Sequence, residues 1–225
     1  MKKFTKINYI LTFILVFCIG ATLPILIGSS HVDEQHSAKS EVPYCVTSPT
    51  VPEQVTFDGE TIDLRRYDRR ERMDREMMAF TYMHSTTMLL IKRANRYFPI
   101  IEPILKANGI PDDFKYLMVI ESNLNNIARS PAGAAGLWQF MPATGREFGL
   151  EVNENVDERY HIEKSTEAAC KYLRSAFVRY KDWTMAAVSY NAGMGKVSSE
   201  LEKQLIDNTF DMWLVPESSR YMFRI

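Results

Sequence analysis

The stretch ESNLNNIARSPAGAAGLWQFMP, residues 121–142, limits what this chain can be more than any other part of the sequence. A carboxylate, Glu121, ends an apolar segment, and a turn rich in glycine and alanine follows. An indole, an amide, a thioether and a proline come directly after the turn. Core packing explains this combination poorly. The combination instead indicates one acid in a dry pocket, with polar groups arranged around it to bind a polar ligand.

The residues before Glu121 predict that its carboxyl faces the protein core. Residues 111–113 place a proline and two aspartates where a helix can begin, because both residue types are favoured in a first turn. Glu121 then shares one helix face with three apolar residues, Phe114, Leu117 and Met118. Desolvation raises the pKa of such an acid and suits it to proton donation. The alternative to a functional acid is a structural role, in which the residues at this helix end only cap the next turn.

The residues after the turn carry groups that suit a carbohydrate ligand. Ser130 and Gln139 supply a hydroxyl and an amide, which can bond to sugar hydroxyls and N-acetyl groups. Gly136 allows a ligand to approach the backbone closely, because glycine has no side chain. Met141 can pack flat against a sugar ring. Trp138 is expected in the core as a supporting residue.

Two motifs nearer the C-terminus add candidate site residues. Tyr190 and Asn191 place a phenol and an amide at a predicted helix end, just before Gly193. Glu217 and Tyr221, four residues apart, can place a second acid and a phenol on one helix face. Taken alone, each motif is weak, and the Glu217–Tyr221 pair is equally well explained as a surface feature.

The remaining sequence predicts a mostly α architecture, without a convincing strand pair or hairpin. Apolar residues at three- and four-residue steps predict one long helix over residues 64–95. A short helix over 100–105 should stop at Asn-Gly, residues 108–109. Further helices are predicted to begin at two side-chain caps, Ser165 and Asp182.

The charge distribution argues against nucleic-acid binding and for export. The chain of 225 residues has a formal net charge of −1, and three of its cations, Lys2, Lys3 and Lys6, precede an uncharged stretch at residues 10–28. The rest of the chain is therefore acidic, unlike a nucleic-acid binder. The N-terminus predicts a cleaved signal or a retained membrane anchor, with everything after residue 30 exported to the cell envelope.

Cysteine and histidine usage predicts neither a disulfide nor a metal site. Apart from Cys18 in the N-terminal segment, the chain contains Cys45 and Cys170, which we expect to be unpaired. No Cys/His cluster has the spacing of metal ligands. We therefore expect no metal and no cofactor.

Several linked motifs occur in one order and spacing: Glu121-Ser122, Ser130, Gly136-Leu137-Trp138-Gln139-Phe140-Met141-Pro142, Ser189-Tyr190-Asn191-Ala192-Gly193 and Glu217-x-x-x-Tyr221. Together they resemble the soluble lytic transglycosylase domains of glycoside hydrolase family 23, most of all the membrane-bound branch D. The similarity covers roughly residues 95–225. It implies a mostly α, lysozyme-like helical fold of the goose type.

The resemblance also implies an activity on peptidoglycan glycan strands. It implies cleavage of the β-1,4 bond between N-acetylmuramic acid and N-acetylglucosamine, with Glu121 as the sole acid and base. Glu121 would protonate the glycosidic oxygen and then deprotonate the muramyl C6 hydroxyl, which closes a 1,6-anhydro ring without water. The implied substrate-binding positions are Ser130, Gly136, Gln139, Met141, Tyr190, Asn191, Glu217 and Tyr221.

We accordingly divide the chain into four segments: a signal peptide or N-terminal membrane anchor (1–30), a polar linker (31–57), an N-terminal helical extension (58–94) and the catalytic domain (95–225). The sequence departs from the family pattern at Ser218, where threonine is frequent. It also ends four residues after Tyr221, whereas family domains usually continue as helix. Either the gene product is truncated or its last helix is short, and both interpretations bear on the stability of the wall on that side of the cleft.

Two other functions remain open from the sequence. A lysozyme-type hydrolase would need a second carboxylate, for which Glu147, Asp157 and Glu158 are candidates. A non-catalytic protein that binds the cell wall could keep the cleft and lack the chemistry.

Overall fold

The computed structural model describes residues 47–225. The described part is mainly helical, as predicted, with one small sheet. Its strands are β1 (Gln54–Phe57) and β2 (Glu60–Asp63). Its α-helices are α1 (Tyr67–Thr81), α2 (His84–Ala107), α3 (Lys115–Ser122), α4 (Pro142–Glu147), α5 (Ile162–Tyr180), α6 (Trp183–Ala192), α7 (Met194–Gln204) and α8 (Pro216–Arg224). Two 3-10 turns, Asp112–Phe114 and Glu158–Tyr160, precede α3 and α5.

The hairpin of β1 and β2 corrects two expectations, that no hairpin exists and that a polar linker extends to residue 57. The strands pair antiparallel across a two-residue turn, in which Asp58 and Gly59 both have positive φ. Asp-Gly is a strong hairpin signal, but each strand has only four residues, so the alternation was too short to recognise. Val51 and Phe57 are buried in the core. The packed structure therefore begins before residue 58.

The single helix expected over residues 64–95 is wrong. The helical segment breaks at Tyr82 and Met83, and α2 then continues without interruption across residues 96–99 and through two prolines. Because Ile101 and Leu105 are completely buried, their packing outweighs the hydrogen bonds that the prolines remove. The boundary drawn between residues 94 and 95 therefore falls inside one helix.

The core is built around α3, α5 and α6. The predicted apolar face before Glu121 is confirmed, since Leu117 and Met118 of α3 and Phe114 at the end of the preceding 3-10 turn are fully buried. The expected cap of α6 is also confirmed, because Asp182 Oδ1 accepts a hydrogen bond from the Met185 amide at 2.9 Å. The cap expected at Ser165 is wrong: α5 begins three residues earlier, and the Ser165 hydroxyl donates to a carbonyl within that helix.

The predicted export segment, the rest of the linker before residue 47 and Cys45 lie outside the described residues. Within residues 47–225, no helix combines the length and apolarity needed to cross a membrane. The same residues contain no group of three or more His, Cys, Asp or Glu side chains placed to hold a metal ion. Cys170 is a free thiol, and burial raises its pKa to about 12.

Candidate active site

Glu121 lies in the last turn of α3, where the chain changes direction sharply. Asn123 and Leu124 follow with φ of 51° and 54°, and the Asn123 carbonyl accepts a hydrogen bond from Arg93 at 2.8 Å. Leu124 is completely buried, which fixes the turn in the core. The Tyr221 hydroxyl, on α8, donates to Glu121 Oε1 at 2.6 Å. The acid is thus held from both its own helix and the last helix.

The environment of Glu121 raises the pKa of its carboxyl. Desolvation by burial is the largest cause, and the negative charge of Glu217 acts in the same direction. The hydrogen bond from Tyr221 and the positive charge of Arg224 oppose this shift without cancelling it. The carboxyl therefore keeps its proton to higher pH than an exposed glutamate, which is what a general acid requires.

Arg159, which the sequence analysis overlooked, holds the loop that follows α3. Its buried guanidinium donates through Nη1 to the carbonyls of Gly133 (2.7 Å) and Phe140 (2.9 Å). Its Nε and Nη2 bond to the two carboxylate oxygens of Asp157 at 2.8 and 2.7 Å. These bonds hold the pKa of Asp157 below its usual range. Both carboxylate oxygens of Asp157 are therefore occupied by Arg159. No sequence pattern predicted this ion pair.

Gly136 lies where this loop touches the Arg159 backbone. Its φ is +79°, and a Cβ atom on it would lie 1.9 Å from the Arg159 carbonyl oxygen. No other residue fits that distance without moving the backbone. Gly136 therefore shapes the loop by close packing, and it is not among the residues that line the cleft described below.

Ser130 and Gln139 bond to the loop itself. The Ser130 hydroxyl accepts from the Ala134 amide at 3.0 Å. The Gln139 amide nitrogen donates to the carbonyls of Ala128 (3.2 Å) and Gly136 (2.8 Å). The polar groups left for a ligand are the Ser130 hydroxyl proton and the Gln139 side-chain oxygen.

A cleft of about 440 Å³ brings together four of the predicted site residues, Gln139, Met141, Tyr190 and Asn191. Glu147 also lines it. Met141 is exposed there, with 42% of its surface accessible. A larger cavity of about 820 Å³, beside Pro99 and Trp183, contains none of the predicted site residues, so we place the site at the smaller cleft.

Side chains behind the cleft fix its two polar residues on α6. The Tyr190 hydroxyl donates to the Trp138 carbonyl at 2.9 Å, and its ring packs against the rings of Trp138 and Phe140. Burial and the nearby Glu121 carboxylate raise the pKa of Tyr190. Asn191 Oδ1 accepts from the Ser218 hydroxyl at 2.6 Å, which leaves the Asn191 amide nitrogen as a donor.

The last helix, α8, supplies the other side of the site. Tyr221 is buried beside Glu121, whereas Glu217 is exposed and reaches the acid only through its charge. Ser218, the departure from the family pattern, is buried and bonded to Asn191. The structure thus joins Tyr221 to Glu121 directly and assigns Ser218 a contact that the sequence did not suggest.

The family model described as transglycosylase SLT domain matches residues 98–211, half of the chain. The chain belongs to this family. Membership in the SLT family, together with the helical architecture, confirms the expected lysozyme-like α fold. The matched region contains α3, the Arg159-bound loop and the cleft residues on α6, but ends before α8.

Two individual relatives give a consistent picture. The chain is 30% identical over 158 residues to membrane-bound lytic murein transglycosylase D of Escherichia coli strain K12. The aligned residues make up 68% of this chain and 34% of that protein. It is also 30% identical over 106 residues to peptidoglycan transglycosylase gp16 of Escherichia phage T7. Here the aligned residues make up 46% of this chain and 8% of that protein. The chain thus spans about a third of the length of the E. coli relative.

Proposed function

We propose that this protein is a peptidoglycan lytic transglycosylase. It cleaves the β-1,4 bond between N-acetylmuramic acid and N-acetylglucosamine and leaves 1,6-anhydromuramic acid ends. The observation that carries the proposal is Glu121, a desolvated carboxyl with a raised pKa that accepts a hydrogen bond from Tyr221. Glu121 does not itself line the cleft, but its charge helps to raise the pKa of Tyr190, which does. Membership in the SLT family and the names of the two relatives support the same substrate.

One acid suffices for the two proton transfers of this reaction. Protonated Glu121 gives its proton to the glycosidic oxygen as the bond from C1 of the muramyl sugar to that oxygen breaks. The resulting Glu121 carboxylate then takes the proton of the muramyl C6 hydroxyl, and O6 bonds to C1. The acid returns to its starting state, and water is neither consumed nor released. The hydrogen bond from Tyr221 stabilises the carboxylate between the two steps.

The other site residues bind and orient the glycan in this proposal. The side-chain oxygen of Gln139 accepts hydrogen bonds from the sugar, and the side-chain amide of Asn191 donates to it. Met141 packs on a sugar face. Ser130 adds a hydroxyl donor, and Gly136 shapes the loop that carries Ser130, Gln139 and Met141. Glu217, Tyr221 and Tyr190 surround the acid and set its charge environment.

We also propose a location in the cell envelope, on the periplasmic side of the membrane. The support is the basic N-terminus followed by the uncharged residues 10–28, which would act as a signal peptide or membrane anchor. The residues between this segment and residue 47 would serve as a polar tether. Peptidoglycan strands are the proposed partner, with no nucleic acid, metal or cofactor required.

One observation favours hydrolysis as a second candidate reaction: Glu147 lines the cleft and could activate a water molecule. The other two carboxylates considered for this role are occupied. Asp157 is bonded to Arg159, and Glu158 is bonded to Lys164 and to the Glu151 amide. If Glu147 were the base, Glu147→Gln would stop product release.

Digestion of purified peptidoglycan in ¹⁸O-labelled water separates these reactions. With the full-length protein, mass spectrometry should show muropeptides that are one water lighter than hydrolysis products and carry no label. Labelled reducing ends would identify a hydrolase. No product from folded protein would favour a non-catalytic wall-binding role.

A further inference from the structure

A buried acid on α1 connects to the helix that holds the candidate catalytic acid. Glu76 is only 5% exposed, although glutamate is normally found at the surface. Its Oε1 lies 3.2 Å from Arg220 Nη1, and its Oε2 lies 3.8 Å from Arg224 Nε. Both arginines are on α8. Helices α1 and α8 lie outside the region matched by the SLT family, residues 98–211.

These contacts restrict the rotation of α8 about its axis. Arg220 and Arg224 are four residues apart and therefore lie on one face, with Tyr221 directly next to Arg220 in sequence. A buried carboxylate is costly without partners, so Glu76 keeps both arginines on its side. A second contact acts in the same direction: Arg69 of α1 lies over the Phe210 ring at 5.2 Å, and that ring packs at 5.8 Å against Phe223 of α8.

We propose that Glu76 is a positioning residue for the reaction: it holds α8 in the rotation that brings the Tyr221 hydroxyl to Glu121. The proposal rests on the proposed function for its kinetic consequences. It makes α1 a part of the active-site structure, although α1 supplies no group to the cleft. The link runs from Glu76 through Arg220 and Arg224 to Tyr221 and from there to Glu121.

Charges around both acids must be separated from this positioning effect. Glu121 faces Tyr221, Glu217 and Arg224 of α8 and Tyr190 of α6. Glu76 faces the two arginines of α8. Removing Glu76 also removes a negative charge, which changes the potential at Glu121 whether or not Tyr221 moves. A double-mutant cycle removes this direct electrostatic effect, because losing the Glu76 charge changes the potential at Glu121 equally with Tyr221 and with Phe at position 221.

The test combines Glu76→Ala with Tyr221→Phe in the full-length protein, with anhydro-product release as the activity. We expect Glu76→Ala to lower kcat about tenfold with KM changed less than about twofold, since one strong hydrogen bond in the transition state is displaced. In the Tyr221→Phe background, Glu76→Ala should lower kcat less than about twofold further. Glu71→Gln, at an exposed glutamate of the same helix, is the matched control and should match the wild type.

Independent losses that multiply in the double variant, or a wild-type kcat for Glu76→Ala, would overturn the proposal. If thermal unfolding shows that Glu76→Ala is not folded at the assay temperature, Glu76→Gln and Arg220→Gln take its place, and both should couple to Tyr221→Phe. Arg220→Gln removes the nearer partner from the other helix.

A second measurement does not depend on enzymatic activity. It therefore distinguishes failure of the positioning role from failure of the proposed function. Carbon-13 NMR titration gives the pKa of Glu121, which Tyr221→Phe should raise because the hydrogen bond from Tyr221 lowers it. In the Glu76→Ala background, Tyr221→Phe should change this pKa much less. An equal change in both backgrounds contradicts the positioning role even if no peptidoglycan product is ever found.

Discussion

The two sides of the candidate site are held in different ways. The loop at residues 128–141 is fixed mainly by its own backbone and by Arg159, whose bonds to it span 19 and 26 residues, and Tyr190 adds one longer bond, across 52 residues. Helix α8 is fixed by side chains of Asn191, Glu121 and Glu76, at sequence separations of 27, 100 and 144 residues. The loop is therefore a local structure that a sequence motif can specify. The position of α8 depends on the whole fold, through contacts that no local motif specifies.

The largest effect should come from filling the loop contact at Gly136. Gly136→Ala places a methyl group 1.9 Å from the Arg159 carbonyl oxygen, at a φ that disfavours side chains. We expect a loss of about 3 kcal/mol in the free energy of unfolding and a Tm lower by about 10 °C. Denaturant and thermal unfolding followed by circular dichroism measure both quantities.

Gly133→Ala is the matched control for that substitution. Gly133 also has a positive φ, of +95°, but a Cβ atom there meets nothing within 4 Å. Only the backbone strain remains, and it should cost about 1 kcal/mol. Equal losses at both glycines would mean that close packing on Arg159 does not fix the loop.

A smaller effect is expected on the α8 side, at Ser218. Ser218→Ala removes the hydrogen bond to Asn191 and frees its side-chain amide to rotate. Because one hydrogen bond contributes about 1 kcal/mol, kcat/KM for peptidoglycan should fall about five- to tenfold while the fold is retained. Ser218→Thr keeps the hydroxyl and should retain most of the activity. A threonine variant as poor as the alanine variant would show that the hydroxyl is not what matters.

The smallest effect is a displacement of the pH profile by a distant charge. Since burial raises the pKa of Glu121, the protonated acid persists as pH rises, and activity should fall when pH passes through that raised pKa. The negative charge of Glu217 contributes to the raised pKa, so Glu217→Gln should move the fall in activity to lower pH. Rates of product release between pH 4 and pH 9 measure the shift.

Glu202→Gln, at an exposed glutamate on α7, serves as the control and should leave the pH profile in place. A profile for Glu217→Gln that coincides with that of the wild type would exclude an electrostatic role for Glu217. A shift to higher pH would contradict the sign of the interaction between Glu217 and Glu121.

Local patterns predicted the parts of the fold that local interactions determine. The apolar face of α3 with Glu121 at its end, the Asp182 cap and the end of α6 at Gly193 were all readable, because each depends on residues within a few turns. The hairpin at Asp58 and Gly59 was missed because its strands are short. The break before α2 was missed because periodicity continues across it.

The candidate site was predictable as a set of motifs but not as a set of contacts. The sequence placed Glu121 and Tyr221 in separate motifs, and only the fold joins them at 2.6 Å. Arg159 and Glu76 belong to no recognisable motif, because their partners are set by tertiary packing. Ser130 and Gln139 were recognised as polar site residues, but nothing in their spacing showed that they also bond to the loop backbone.

The most direct test of the central claim is a digest of purified peptidoglycan by the full-length protein beside its Glu121→Gln variant. The amide has nearly the shape of the acid but cannot donate and retrieve the proton, so product release should fall at least about 10³-fold, with a Tm within a few degrees of the wild type. The wild type should release 1,6-anhydro muropeptides. Release of the same products by a folded Glu121→Gln variant at a similar rate would contradict the assignment of Glu121 as the catalytic acid.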